Sequence, residues 1–202
     1  MDNASSLCVN HAVTTDQKKN FYDDLTATGP FEVEIGFGDG DYLISRARAY
    51  PDRTFVGIEH KPSLIAGVSK KAASLNVVNI RFLQSCAKEA FSDLFTSCSI
   101  SRVYALFPDP WPKRKHIKYR LFSSCFLRLL NNRLVPEGEA LIVTDSSEYG
   151  KWIVKQTPDT GFEVECSMVP PQYNTRFERK WIGKGYQDFF QILLKKRDHI
   201  ET

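Results

Sequence analysis

Asp109 lies in the stretch FPDPWPKRKH, residues 107–116, where prolines at 108, 110 and 112 alternate with it and with Trp111 before the chain turns basic. Each proline fixes its own φ and pushes the residue before it toward extended backbone, so the stretch cannot be helical and the carboxylate is held in place. A carboxylate fixed beside a large ring can take two hydrogen bonds from the Watson–Crick edge of a guanine, while the ring stacks on a base or walls a pocket. The bland alternative is a proline-rich turn with Trp111 as a plug of the core. Lys113, Arg114, Lys115, His116, Lys118 and Arg120 follow, five cations and a histidine in eight positions. Such a run is ordinarily a solvated face. Beside a base pocket it reads as a phosphate-contacting surface, because phosphate contacts orient a nucleic acid while the pocket specifies the base.

A second constellation is VEIGFGDGDY, which sets Gly36, Gly38 and Gly40 between a strand and a helix. In an open α/β sheet that is where ligands meet backbone, although a tight turn recruits glycine for positive φ without any ligand. A dinucleotide pyrophosphate wants a helix N-terminus free of competing acids, yet Glu34, Asp39 and Asp41 crowd this one and favour a cationic ligand. Glu59, closing the next strand in GIEHKP, stands where a carboxylate accepts both hydroxyls of a ribose. S-adenosylmethionine combines a free ribose diol, a sulfonium, an α-amino cation and no phosphate. The Glu34–Gly40 loop with Glu59 thus resembles the cofactor site of Rossmann-like methyltransferases. A nicotinamide dehydrogenase is the other reading, opposed by the acids and by GxGxG spacing in place of GxGxxG.

These residues need a scaffold. Short β-branched or aromatic runs at 31–35, 54–58, 79–83, 102–107 and 139–144 read as strands, separated by helices near 41–50, 62–75, 87–95, 119–133 and 146–156. Strand and helix in alternation predict a doubly wound, mostly parallel sheet with helices on both faces. FEVECSMV and FFQILL follow with only a Pro-containing loop between them, so the seven-stranded sheet should end in an antiparallel edge. The 202 residues suit one domain, expected over 21–202 behind a polar arm at 1–20. That arm has no basic n-region or apolar h-region, and no segment comes near the roughly 18 apolar residues of a membrane span. The five cysteines form no CxxC pair and the histidines add no ligand spacing, so a reducing, cytoplasmic setting without structural metal is expected. A net charge of +3 implies no polyanion partner by itself, which leaves that argument to the clustered run.

Taken together, EIGFGDG, GIE, FPDPWPKRKH, Thr144–Asp145 and the TRFE of residues 175–178 resemble, in order from about residue 31 to 194, the motifs of the bacterial tRNA (guanine-N7)-methyltransferases. FPDPW followed by basic residues is specific to that family; the glycine motif is shared by many methyltransferases. The resemblance implies methylation of a guanine in the tRNA variable loop with S-adenosylmethionine as donor. By position it makes Glu34, Gly36, Gly38, Gly40, Glu59, Cys86 and Asp109 cofactor-binding and Asp109 also the catalytic acid. It makes Lys113, Asp145, Thr175, Arg176, Phe177 and Glu178 substrate-binding, and Lys115, His116, Lys118, Tyr119 and Arg120 RNA contacts. It further implies a monomer or homodimer with tRNA as partner, and neither DNA nor membrane. Two departures stand out: Cys86 occupies a position where the family usually has an acid, and Tyr119 one where a second consecutive arginine is common. Two other classes remain open: a methyltransferase acting on DNA, protein or a small molecule, and an RNA-binding module with a decayed site. Asp145 has a plainer reading as a helix N-cap, and TRFE as a loop salt bridge.

Overall fold

The computed structural model describes residues 8–10, Leu25 and residues 29–197. Its strands are β1 (Cys8–Asn10), β2 (Phe31–Ile35), β3 (Phe55–Glu59), β4 (Ile80–Gln84), β5 (Ile100–Leu106), β6 (Leu134–Thr144), β7 (Phe162–Val169) and β8 (Phe189–Lys196). Between them run α1 (Asp41–Ala49), α2 (Pro62–Ser74), α3 (Ala87–Glu89, continued by a π turn over Ala90–Leu94), α4 (Ser124–Arg133), α5 (Ser147–Val154) and α6 (Arg176–Ile182).

One sheet holds all eight strands in the order β1-β4-β3-β2-β5-β6-β8-β7. Strands β1 to β6 pair in parallel, whereas β8 pairs antiparallel with both β6 and β7. β3 is buried along its whole length, as a parallel strand covered on both faces must be. Leu43, Ile44 and Ala47 of α1 and Ile65, Val68 and Ala72 of α2 pack with Phe55 and Phe82 in one cluster. Phe91, Phe126, Leu127, Leu130, Tyr149 and Ile153 pack with Val56, Ile58 and Val103 in the other. The doubly wound α/β architecture is the one expected. No helix among the described residues is long and apolar enough to cross a membrane.

Four details differ from expectation. An eighth strand, β1, comes from within the segment read as an arm and extends the sheet beside β4. The rest of that segment lies outside the described residues. The reversed strand β8 sits one place in from the edge, because it returns between β6 and β7. The loop between β7 and β8 contains a helix, α6, started by Thr175, whose Oγ1 accepts a hydrogen bond from the Glu178 amide at 3.1 Å. The helix expected over 119–133 is divided: residues Arg114–Tyr119 form a 3₁₀ turn, and α4 begins only after Ser123, whose hydroxyl accepts from Phe126 N.

Two glycines test the frame that carries the first loop. Gly40, at the start of α1, has φ +70°, and a Cβ there would stand 2.3 Å from Cγ1 of buried Val68. Gly40→Ala is expected to lower the unfolding free energy by roughly 2 to 4 kcal/mol, from left-handed strain plus overpacking. Gly67, exposed on α2, has nothing within 4 Å of its would-be Cβ. Gly67→Ala is expected to raise stability by about 0.5 to 1 kcal/mol. Urea unfolding midpoints of the two variants, moving in opposite directions, check both.

Candidate functional site

Chain order along the sheet reverses at β2: β3 and β4 are laid down on one side of it, β5 and β6 on the other. At such a switch point the loops leaving the carboxyl ends part and open a crevice. The loops after β2, β3, β4, β5 and β6 carry, in turn, the glycine motif, Glu59, Cys86, Asp109 and Asp145.

Glu34 is in register with Gly57 on one side and Tyr104 on the other, and is 3% exposed. Its Oε2 has no hydrogen-bond partner among the described residues, and burial, reinforced by the charge of Asp39, raises its carboxyl well above the ordinary value. Gly36, Gly38 and Gly40 all have positive φ; at Gly36 and Gly38 a Cβ would meet open space, so this backbone is approachable. Glu59, closing β3, accepts from the His60 and Lys61 amides (2.8 and 3.1 Å) at Oε1, which fixes its carboxylate at the rim. Ser85 N donates to Glu59 O at 3.2 Å, joining the third loop to the second. Cys86 is exposed, and its thiol is raised by desolvation first and then by Glu89, so it stays a neutral, weak hydrogen-bonding group.

Beyond β5 the chain enters FPDPW with Phe107 at φ +57° and Trp111 at φ +43°, two bulky residues that precede prolines yet take the left-handed region and not the extended backbone expected of them. Phe107 is buried, its ring 4.9 Å from Phe189 at 88° and its amide donating to Val143 O at 2.7 Å. Trp111 packs against His116 and Tyr119, centroids 5.6 and 5.4 Å away. The plug reading therefore fails: Trp111 is 36% exposed and Phe107 is the core anchor. Asp109 is exposed on the arc between the two, as are Lys113, Arg114, Lys115, Lys118 and Tyr119 nearby. His116 is half-buried. Arg120 does not join this surface; it is 3% exposed and faces inward.

After β6, Ser146 caps α5 by accepting from Tyr149 N at 3.2 Å, so the N-cap reading of Asp145 does not hold. Asp145 is half-buried, with its carboxyl raised by burial and held down in part by Lys180 and Lys184. TRFE is likewise not a loop salt bridge. The Glu178 carboxylate is buried and accepts from the amides of Gln172 (2.8 Å), Tyr173 (3.0 Å) and Asn174. Thr175 and Glu178 thus shape the loop, while Arg176 and Phe177 face solvent.

Sequence reasoning missed three groups here. Arg179 of α6 reaches the glycine loop, its Nη2 3.1 Å from Asp39 Oδ2 and 2.7 Å from Asp41 Oδ2. Nothing local signals a pair so far apart in the chain. Tyr173 packs on Tyr42 at 5.8 Å, and Tyr42 on Tyr104 at 5.2 Å, which ties the TRFE loop to α1 and β5. Lys180 and Lys184 stand over Trp181 at 5.3 and 4.5 Å, a cation–aromatic face whose only sequence signal was KWIGK.

The unpartnered Glu34 makes a prediction about the protein without ligand. A carboxyl whose folded-state pKa is raised adds nothing unfavourable below its unfolded value, near 4.5, and destabilises increasingly as pH rises above it. Glu34→Gln is therefore expected to stabilise the ligand-free chain at pH 8, because an amide carries no charge to bury. The gain should shrink toward pH 4.5. Thermal unfolding across that pH range reads it, and equal melting temperatures of parent and variant at pH 8 would count against the unpaired charge.

Comparison with known proteins adds a lineage to this geometry. The family model described as "Putative methyltransferase" matches residues 28–190. A tRNA (guanine-N(7)-)-methyltransferase of Chlorobium phaeobacteroides is 61% identical over 202 residues, covering 100% of this chain and 99% of that protein. One of Halorhodospira halophila with the same name is 36% identical over 166 residues, covering 78% of this chain and 71% of its own. Among solved structures, the 16S rRNA methyltransferase KamB superposes with a TM-score of 0.70 at 17% identity, covering 88% of this chain and 93% of that one. That last likeness concerns the fold. An ordered set of motifs, carried by the strand ends and loops at the carboxyl side of the sheet, and a full-length match at this identity agree: the chain belongs to the tRNA (guanine-N7)-methyltransferase family.

Proposed function

We propose that this chain transfers the methyl group of S-adenosylmethionine to N7 of a guanine in the variable loop of tRNA. The observation that carries the reading is the placing, at the carboxyl end of one sheet, of a buried carboxylate whose Oε2 has no partner among the described residues, Glu34, and an exposed carboxylate on a proline-held arc, Asp109, beside solvent-facing cations. The donor set suits the cofactor: Glu34 offers an unmatched negative charge to a cation, Glu59 an acceptor for a ribose diol, and Gly36 and Gly38 bare backbone. Cys86 and Asp109 complete the set. With a neutral thiol at Cys86, the adenine amino group is left to backbone carbonyls or to Ser85, whose Oγ donates to Cys86 O at 3.1 Å.

When bound, the cofactor supplies an electrophilic methyl group, so the N7 lone pair forms the new N–C bond as the C–S bond breaks and its electron pair goes to sulfur. N7 carries that lone pair in the ring plane and needs no deprotonation. The chain's task is therefore alignment. Asp109 accepts from the guanine edge and, once the ring has become cationic, stabilises it. Lys113, Asp145 and the segment Thr175–Glu178 hold the target nucleotide, with Thr175 and Glu178 acting through the loop they shape. Lys115, His116, Lys118 and Tyr119 meet the RNA. The same reading puts the protein in the cytoplasm as a monomer or homodimer, with no DNA or membrane partner.

Incubation with labelled S-adenosylmethionine and unmodified tRNA, followed by nucleoside mapping, should yield 7-methylguanine; label on another base, on protein or nowhere would defeat the proposal. Asp109→Ala should remove most turnover at saturating substrates with an unchanged melting temperature, because its side chain is exposed. Replacing Lys115 and Lys118 with Ala should flatten the dependence of log tRNA affinity on log salt by up to about 2 units, one for each lost phosphate contact. A slope equal to the parent's would return the run to a solvated face.

A further inference from the structure

We propose that Arg120 is the positioning residue of the Asp109 arc, gripping it through the Pro110 carbonyl from beneath, and that it meets no phosphate despite closing the basic run. The proposal rests on the methyltransferase reading for its catalytic consequence, though not for its structural one.

Sequence explains why such a grip is needed. Pro108, Pro110 and Pro112 have no N–H, so between Phe107 and Lys113 few backbone donors are available to pin the chain. An arc of this kind is held by its carbonyls, which requires a donor from elsewhere. Arg120 supplies one: Nε donates to Pro110 O at 2.8 Å, one residue from Asp109. The 3₁₀ turn returns the chain for this purpose, with Arg120 N donating to Ile117 O at 3.0 Å. The guanidinium has further partners on α5. Nη2 donates to Glu148 Oε1 at 3.0 Å, and Cζ lies 5.2 and 5.1 Å from the ring centres of Tyr149 and Trp152 on α5. A guanidinium that is 3% exposed persists only with such partners, and at that burial it is withdrawn from the surface a phosphate would reach.

Strain on either side gives the grip its consequence. Phe107 at φ +57° and Trp111 at φ +43° occupy backbone that bulky residues leave unless their surroundings over-determine it. Phe107 is tied to Phe189 and Val143 O, and Trp111 to His116 and Tyr119. Arg120 secures the span between them, which carries the carboxylate. Lysine is no substitute, since a point donor cannot bond a carbonyl and a carboxylate while lying flat against two rings.

The test compares the parent with Arg120→Lys. Circular dichroism should show a folded variant, and the salt slope of tRNA affinity should match the parent's. Turnover at saturating tRNA and cofactor should fall on the order of 100-fold, the scale of a misplaced reacting group. Retained turnover, or a slope flattened by about 1 unit as for a lost phosphate contact, would overturn the proposal. Should the lysine variant fail to fold, Glu148→Ala replaces it, because Glu148 is 73% exposed and its loss only loosens the guanidinium. Turnover several-fold lower at an unchanged slope supports the grip, and unchanged turnover refutes it. Amide hydrogen exchange over residues 107–113 needs no activity: faster exchange in either folded variant supports the grip, and parental exchange refutes it. If the parent methylated no tRNA, the functional reading would fall while this last measurement still decided the positioning claim.

Discussion

Two acids on one face of the central strand are treated in opposite ways, and the rest of the site follows from that difference. Alternation along β2 puts Glu32 and Glu34 on the same side of the sheet, both almost fully buried. Glu32 is fully matched: its carboxylate accepts from Arg46 at 3.1 Å, Arg53 at 2.6 Å and the Tyr104 hydroxyl at 2.7 Å. Burial works to raise its pKa, but these partners outweigh burial and hold the carboxyl below its ordinary value. Two residues on, toward the carboxyl end, Glu34 receives nothing at Oε2. The frame thus gives the Glu32 carboxylate three partners and, at the edge of the crevice, gives Glu34 Oε2 none among the described residues. A buried carboxylate oxygen without a partner is unfavourable for folding, a condition that suits a site awaiting a cation.

The same division of labour recurs around the rim. Groups that face solvent, Asp109, Lys113 and Arg176, stand on or beside segments that a buried polar side chain ties down through backbone. Arg120 serves the FPDPW arc and Glu178 the TRFE loop, the latter through three consecutive amides. Arg179 then closes the circle by pairing with Asp39 and Asp41, so α6 and the glycine loop share one ion cluster. Burial acts to raise the Asp41 carboxyl, yet Lys71 and Arg179 together hold it below its ordinary value. As that cluster is partly exposed, its contribution is positional more than energetic.

What the sequence made legible was whatever is encoded at short range. Runs such as FEVEI and TFVGI declare strands by composition, and alternation with helices declares a doubly wound sheet. Asp109, Glu34 and Glu59 were visible because prolines, glycines and strand ends are local signals. Contacts between distant segments were not. Arg120 looks like the sixth positive-run residue until α5 supplies Glu148, Tyr149 and Trp152 to bury it. The position of β8 inside the edge depends on which neighbour it chooses after α6, a long-range decision that no turn residue announces. The short helix after Thr175 is the instructive omission, for Thr175-x-x-Glu178 is itself a capping pattern that was read only for its chemistry.

Rigidity and exposure together suit the proposed chemistry. An exposed carboxylate on a fixed arc carries little desolvation cost before a substrate arrives, unlike a buried acid awaiting a partner. When a base covers it, water leaves and the same charge acts through a lower effective dielectric, so its attraction for a ring that turns cationic strengthens as the methyl group transfers. A flexible arm would lose part of that gain to reorganisation. The prolines limit how the arc can bend, the strained residues at its ends are fixed by aromatic packing, and a buried guanidinium holds its middle. In the proposed reaction, whose nucleophile needs no proton removed, the task this assigns to the arc is to stay still.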